Sequence, residues 1–181
     1  MKKIGILMFS LSTFLLNGMA KSETDKFSPI FQRLEEVTKI RESLSATLIG
    51  RKEPITVEDF KRVCAPAGEE LKRWSVERGF KARQVSEKFR NPQHRPNEME
   101  QEVLARFSKD RSLRRLDLPS RDPKNPGHFV FAPIEVAASC LTCHGAKEAR
   151  PKFVVEKYPA DLAHGFKSGD LRGMYSVFVP L

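Results

Sequence analysis

Residues 140–144 read Cys-Leu-Thr-Cys-His, and Gly145 follows. Two thiols two residues apart, with an imidazole immediately after them, form the C-x-x-C-H attachment signal for c-type haem. The spacing follows from the chemistry. Cysteines so placed reach the two vinyl groups of one porphyrin, and the next residue can set a ring nitrogen on the iron. Gly145, without a Cβ, lets the chain turn away from the porphyrin edge. With three residues fixed in five, the pattern also fits a redox dithiol, a simple disulfide or part of a zinc site. Zinc needs further ligands, and the chain holds no second C-x-x-C.

The expected compartment bears on that choice. Lys2 and Lys3 precede an apolar run from Ile4 to Leu16, and Asn17-Gly18-Met19-Ala20 places small residues before a cut after Ala20. This is the layout of a cleaved secretory signal over residues 1–20. The run is shorter than the ~20 apolar residues of a membrane span. No other stretch is long enough to cross a membrane, so the periplasm is the expected location. Removing 20 residues from 181 leaves 161, enough for one domain with its own core. Residues 21–29 are polar and read as a flexible lead, with a single domain over 30–181.

The chain carries 32 Lys and Arg against 23 Asp and Glu, a formal charge of +9, or +7 once Lys2 and Lys3 are removed. A basic balance suits acidic partners, an anionic membrane surface or two haem propionates. Export argues against nucleic acid. Three cysteines are too few to staple such a domain, and the count is odd. With Cys140 and Cys143 on haem, Cys64 is left without a partner, and a buried, inert thiol is one account of it.

A helical pattern runs from about Pro29 to Gly50, with Leu34, Val37, Ile40 or Arg41, Leu44 and Leu48 as one stripe. A second helix begins near Thr56, a capping residue with Asp59 three positions on. Phe60, Val63, Cys64, Ala67, Leu71 and Trp74 share one face, which turns Cys64 inward. Pro66 predicts either a kink or a fresh helix start. Gly79 ends this element, and Phe80–Val85 suits a short strand. Residues 89–97 are turn-forming, and Asn97 with Glu100 caps a helix carrying Met99, Val103, Leu104 and Phe107. Residues 111–127 read as a loop with a short polar strand. His128–Val136 and Gly173–Val179 read as strands on either side of the C-x-x-C-H. Helices and strands in this order make an α+β plan.

Four segments in this order resemble the Tll0287-like family of haem domains, formerly domain of unknown function 3365. They are Val63-Cys64; Arg83-Gln84-Val85-Ser86 with Phe89-Arg90-Asn91-Pro92, Pro96-Asn97 and Glu100; Cys140 to Gly145; and Tyr158-Pro159-Ala160-Asp161-Leu162-Ala163 with Gly165 and Gly169-Asp170-Leu171-Arg172-Gly173. The resemblance spans about Leu34 to Leu181. It implies a PAS-like fold, an antiparallel sheet flanked by helices with a long N-terminal helix. It also implies one covalently attached haem c in an extracytoplasmic domain. No kinase or transmitter region accompanies the domain, so the free-standing form is expected.

The resemblance further implies Cys64 as the second axial ligand, paired with His144. A thiolate there favours ferric iron and a low potential. The plainer reading is a buried core cysteine. His94, His128 and His164 are weaker candidates for the same position, as is Met174. Arg90 and Arg172 lie in family segments and suit bidentate contacts to haem propionates. An internal pair, Arg172 with Asp170 or Asp161, is the alternative.

Together these readings predict a periplasmic monohaem c-type protein that senses redox state or a ligand, or transfers electrons at low potential. Two strong ligands would leave no open iron position for substrate or gas, and no distal base with a charged partner stands out, so an enzyme is not the favoured reading. The alternatives are a haem enzyme acting on small nitrogen, oxygen or peroxide species, and a non-haem dithiol protein. Expected partners are the cytochrome c maturation machinery and a redox partner of unspecified identity. The long first helix permits a homodimer.

Overall fold

The computed structural model describes residues 26–181. The expected signal segment, 1–20, and the start of the lead lie outside the described residues. The lead is shorter than its polarity suggests. Phe27 is already buried, and helix α1 (Ser28–Ala46) starts beside it, with Pro29 in a first turn that needs no N–H from it.

Helix α2 (Val57–Val63) opens on a capping box. Thr56 Oγ1 accepts from the Asp59 N–H at 3.2 Å, and Asp59 Oδ2 accepts from the Thr56 N–H at 2.9 Å. Of the two outcomes predicted at Pro66, the structure takes the fresh start. Helix α2 stops at Val63, Cys64 is the junction, and α3 (Ala65–Glu77) begins anew with Pro66 in its first turn. A proline there loses no intrahelical hydrogen bond and clashes with no preceding turn. Gly79, at φ 70°, closes α3.

Strand β1 (Lys81–Val85) leads through a turn to α4 (Glu98–Lys109), capped by Asn97 and Glu100 in the expected reciprocal pair. The short β2 (Leu116–Pro119) and long β3 (Gly127–Glu135) follow. The chain closes on β4 (Leu171–Pro180), which starts two residues before its predicted bound. All pairings are antiparallel, in the order β1-β4-β3-β2.

The two faces of β4 organise the core. Tyr175 and Val177 join Val130 and Ile134 of β3 beneath Phe31, Leu34 and Val37 of α1 and Ala67, Leu71 and Trp74 of α3. Met174, on the opposite face, meets Val85, Phe131 and the α4 residues Val103, Leu104 and Phe107. Burying a side chain such as Phe107 stabilises the fold by about 1.5–3 kcal/mol, and it is 1% exposed. The sheet is thus sandwiched between two helical layers, with Met174 in its core.

Neighbouring antiparallel strands need only a short turn. Yet β3 and β4, which pair directly, are separated by residues 136–170. That connection is far longer than a hairpin turn and carries secondary structure of its own. It holds a 3₁₀ turn (Ala138–Cys140), α5 (Leu141–His144) and α6 (Lys152–Lys157). A strap of 158–170 then returns to the sheet.

Candidate functional site

The C-x-x-C-H residues occupy a single tight turn. Cys140 ends the 3₁₀ turn, and α5 carries Cys143 and His144. Gly145 closes it by donating its N–H to the Leu141 carbonyl at 2.8 Å. A Cβ at Gly145 would stand 2.6 Å from that same oxygen, so close approach demands the glycine here. Upstream, the turn is tied to α1 by the hydroxyl pair Ser45–Ser139 at 2.6 Å.

The strap holds His144 in place. Ala163, whose carbonyl can only accept, lies 2.7 Å from His144 Nδ1. The imidazole proton therefore sits on Nδ1, and the lone pair is on Nε2. Burial, with Arg172 and Arg90 nearby, pushes the imidazole down to about 3, so it is neutral at physiological pH. The backbone is pinned as well, with Phe166 N–H on the His144 carbonyl at 3.1 Å and Gly165 N–H on the Gly145 carbonyl at 2.6 Å. The Phe166 ring meets the imidazole edge-on, 6.2 Å between centroids.

Asp161 is the hub behind this arrangement. Its side chain is fully buried and accepts from Arg90 Nε at 3.2 Å, Arg150 Nη1 at 3.0 Å and the Ala163 N–H at 2.9 Å. Burial alone would raise its carboxyl. The Arg90 hydrogen bond, the Ala163 N–H and Arg150 outweigh that and hold it below the ordinary range. Arg90 also donates to the Cys143 carbonyl at 2.8 Å. The carboxylate thus fixes the strap, the strap orients the histidine, and Arg90 bridges strap to turn. Such support behind a ligating histidine sets its tautomer and direction.

The third cysteine, Cys64, lies close enough to act electrostatically on Cys140 and Cys143. All three thiols are free. Burial raises the Cys64 thiol, Arg41 lowers it, and Cys140 raises it. Burial pushes Cys143 up to about 11, with Cys64 adding to the effect. Reactive dithiols are the reverse, with a thiol brought down by a helix N-terminus or a cation. Among the described residues, no three His, Cys, Asp or Glu side chains gather closely enough to hold a metal ion by themselves.

Arg90 and Arg172 both reach this region, in roles the sequence does not separate. The internal ion pair expected for Arg172 with Asp161 or Asp170 belongs instead to Arg90. Arg172 Nη1 donates to Ser86 Oγ at 2.8 Å and to the Lys88 carbonyl at 3.1 Å. His94 is near the same cations, its imidazole lowered by burial, Arg172, Arg83 and Arg41. His128 stands at the far end of the sheet, its ring against Phe27. It helps to line a cavity of about 370 Å³ that touches none of the three cysteines. In the sequence Asp161 stands out only within a family segment and as a partner for Arg172, and Arg41 falls in a helical stripe. The legible signal for Asp161 is Asp-Leu-Ala, a carboxylate able to accept from the N–H two residues on.

The sheet order, its two helical layers and the enlarged β3–β4 connection define a PAS-like α+β domain. The model of the Tll0287-like family matches residues 18–180, and the chain belongs to that family. A solved structure, described as the cyanobacterial heme-protein Tll0287, is 39% identical, with a TM-score of 0.76. The alignment covers 86% of this chain and 95% of the solved one. No curated protein matches.

Proposed function

We propose that this is an exported c-type haem protein that senses redox state or a small ligand. The supporting relative is itself described as a heme-protein. The observation that carries the reading is the state of His144. Its Nδ1 proton is fixed on Ala163, leaving a neutral Nε2 beside two free thiols at the attachment spacing. That donor set fits one haem, with Cys140 and Cys143 holding the vinyl carbons and His144 as the proximal ligand. Bound there, the group supplies one-electron chemistry and an affinity for diatomic gases.

Cys64 is the second ligand in this proposal. Its position favours sensing over simple electron transfer. It occupies the junction of two helices, and such junction residues absorb backbone changes more readily than helix interiors. A ligand on a junction can leave when it is protonated, oxidised or displaced. Covalent attachment also fits export, with residues 1–20 removed and maturation outside the cytoplasm.

The test is full-length protein made with the cytochrome c maturation machinery. A haem that stays with the denatured chain and gives a c-type pyridine haemochrome is expected, and no covalent haem would sink the proposal. Carbon monoxide or nitric oxide binding to the reduced protein supports sensing. Inert, six-coordinate behaviour in both oxidation states would favour electron transfer instead.

A further inference from the structure

Arg41 lies on α1, and its guanidinium stands over the Tyr175 ring at 5.5 Å from the centroid. Its Nη2 is buried and bonds nothing among the described residues. An unpaired buried donor on a cation carries its full desolvation penalty. Such atoms in native folds call for a partner from outside the chain. Arg33, on the same helix, makes the contrast. Its Nε is also buried without a partner, but its charge meets Glu36 and Glu70. No carboxylate of the described residues pairs with Arg41.

Arg172 is in the same position for a different reason. The β3–β4 register passes from Ile134–Gly173 to Glu135–Leu171, which leaves Arg172 as the extra residue of a bulge. A bulge re-aims its side chain and is enriched beside functional sites. The acceptors it finds, Ser86 Oγ and the Lys88 carbonyl, are neutral. Burial, with Arg90 and Arg41 beside it, brings the guanidinium down to about 10, so it is still a cation at neutral pH. Asp161 acts on it from a distance, but both its oxygens are taken by Arg90, Arg150 and the Ala163 N–H. Two cations therefore repel each other with no carboxylate of their own. Both lie around the attachment turn without belonging to it: Arg41 stands one helical turn before Ser45, which bonds Ser139, and Arg172 lies over the Phe166 ring that meets His144.

We propose that Arg41 and Arg172 form a clamp for two carboxylates, taking the two haem propionates from α1 and from the β4 bulge. The clamp rests on the haem reading above and extends it. It makes Arg41 a binding residue, and it separates Arg172 from the structural Arg90. Two guanidiniums on separate elements match two carboxylates carried on one rigid ring edge better than a single compact anion.

Resonance Raman spectra of the haem-loaded full-length protein test it, because the propionate-bending bands report hydrogen bonds at those carboxylates. One band is expected to move in Arg41→Met and the other in Arg172→Met. Neither should move in Arg114→Met, whose exposed guanidinium pairs with Glu135. Bands unchanged in Arg41→Met would overturn the clamp. A second measurement needs no variant to mature. Full-length protein made without the maturation machinery is titrated with haem and with haem dimethyl ester, whose propionates carry no charge. The free acid should bind about tenfold tighter or more for each guanidinium–carboxylate pair that the ester cannot form. Equal affinities overturn the clamp. A preference for the acid without covalent attachment in the matured protein keeps the clamp and overturns the c-type reading.

Discussion

His144 and Cys64 reach one small region from supports of very different construction. His144 has its side chain on Ala163, its backbone on Phe166, and the buried Asp161 behind both, with two guanidiniums on that carboxylate. Cys64 caps α2 with its N–H on the Phe60 carbonyl, and its thiol bonds nothing among the described residues. One donor is over-determined and the other is held only by packing and by the helices it joins. In the proposed haem site, one ligand position is thus fixed and the other can yield. Two switchable positions would let the cofactor tilt, and two fixed ones would report nothing.

The largest effect should come from breaking the fixed side at its hub. Asp161→Ala leaves Arg90 and Arg150 buried without their carboxylate. Losing one partner of a buried pair costs about 3–5 kcal/mol, so urea unfolding should show a midpoint well below wild type. The same residue sets an acid limb. Its folded carboxyl lies below the unfolded value, so its contribution is complete above the ordinary carboxylate pKa of about 4. That contribution is lost as pH falls through the lower folded value. Melting temperature against pH should therefore drop at the acid end in wild type and flatten there in Asp161→Ala. An unchanged slope would remove Asp161 from the hub.

A smaller loss is expected at Gly145→Ala. The added methyl meets the Leu141 carbonyl inside the turn that carries both thiols. Overpacking of this kind costs about 1–3 kcal/mol, measured by the same urea titration. Haem incorporation should fall with it, because the turn must open to relieve the clash. On the yielding side, Thr56→Ala removes half of the α2 capping box, and loss of such a cap costs about 0.5–2 kcal/mol. The comparison would fail if Thr56→Ala destabilised the protein more than Asp161→Ala.

The sequence carries these two sides unequally. The capping boxes at Thr56–Asp59 and Asn97–Glu100, the α3 stop at Gly79 and the strands around the motif are local signals, and each appears where local chemistry places it. The thiols and His144 are legible for the same reason, since five adjacent residues hold the whole pattern. Asp161 is hidden because its partners, Arg90 and Arg150, lie 71 and 11 positions away and meet only through the strap. Arg41 is harder still. On α1 it falls in the apolar stripe, and only its missing partner in three dimensions distinguishes it from a solvated arginine. That the Asp161 pair falls to Arg90 and not to Arg172 has the same origin. A one-residue bulge decides it, and bulges leave no pattern in composition or periodicity.

Cys64→Ala should be the quietest change in stability and the sharpest in chemistry. The thiol is half-buried and unbonded, so its removal forfeits packing worth under about 1 kcal/mol on the scale of a single methylene. Cys140, Cys143 and His144 are untouched, so haem should attach as in wild type. If Cys64 is the yielding ligand, the ferric spectrum changes and the potential rises, because an anionic donor that favours ferric iron is gone. An unaltered ferric spectrum would make Cys64 a core residue and leave the second side of the site without a ligand. The double variant carries the argument further. Thr56→Ala loosens the helix that ends on Cys64, so in wild type it should speed carbon monoxide binding to the reduced protein. In the Cys64→Ala background that effect should vanish, since the residue it acts through is absent. Additive effects of the two changes would mean that the α2–α3 junction does not control the site.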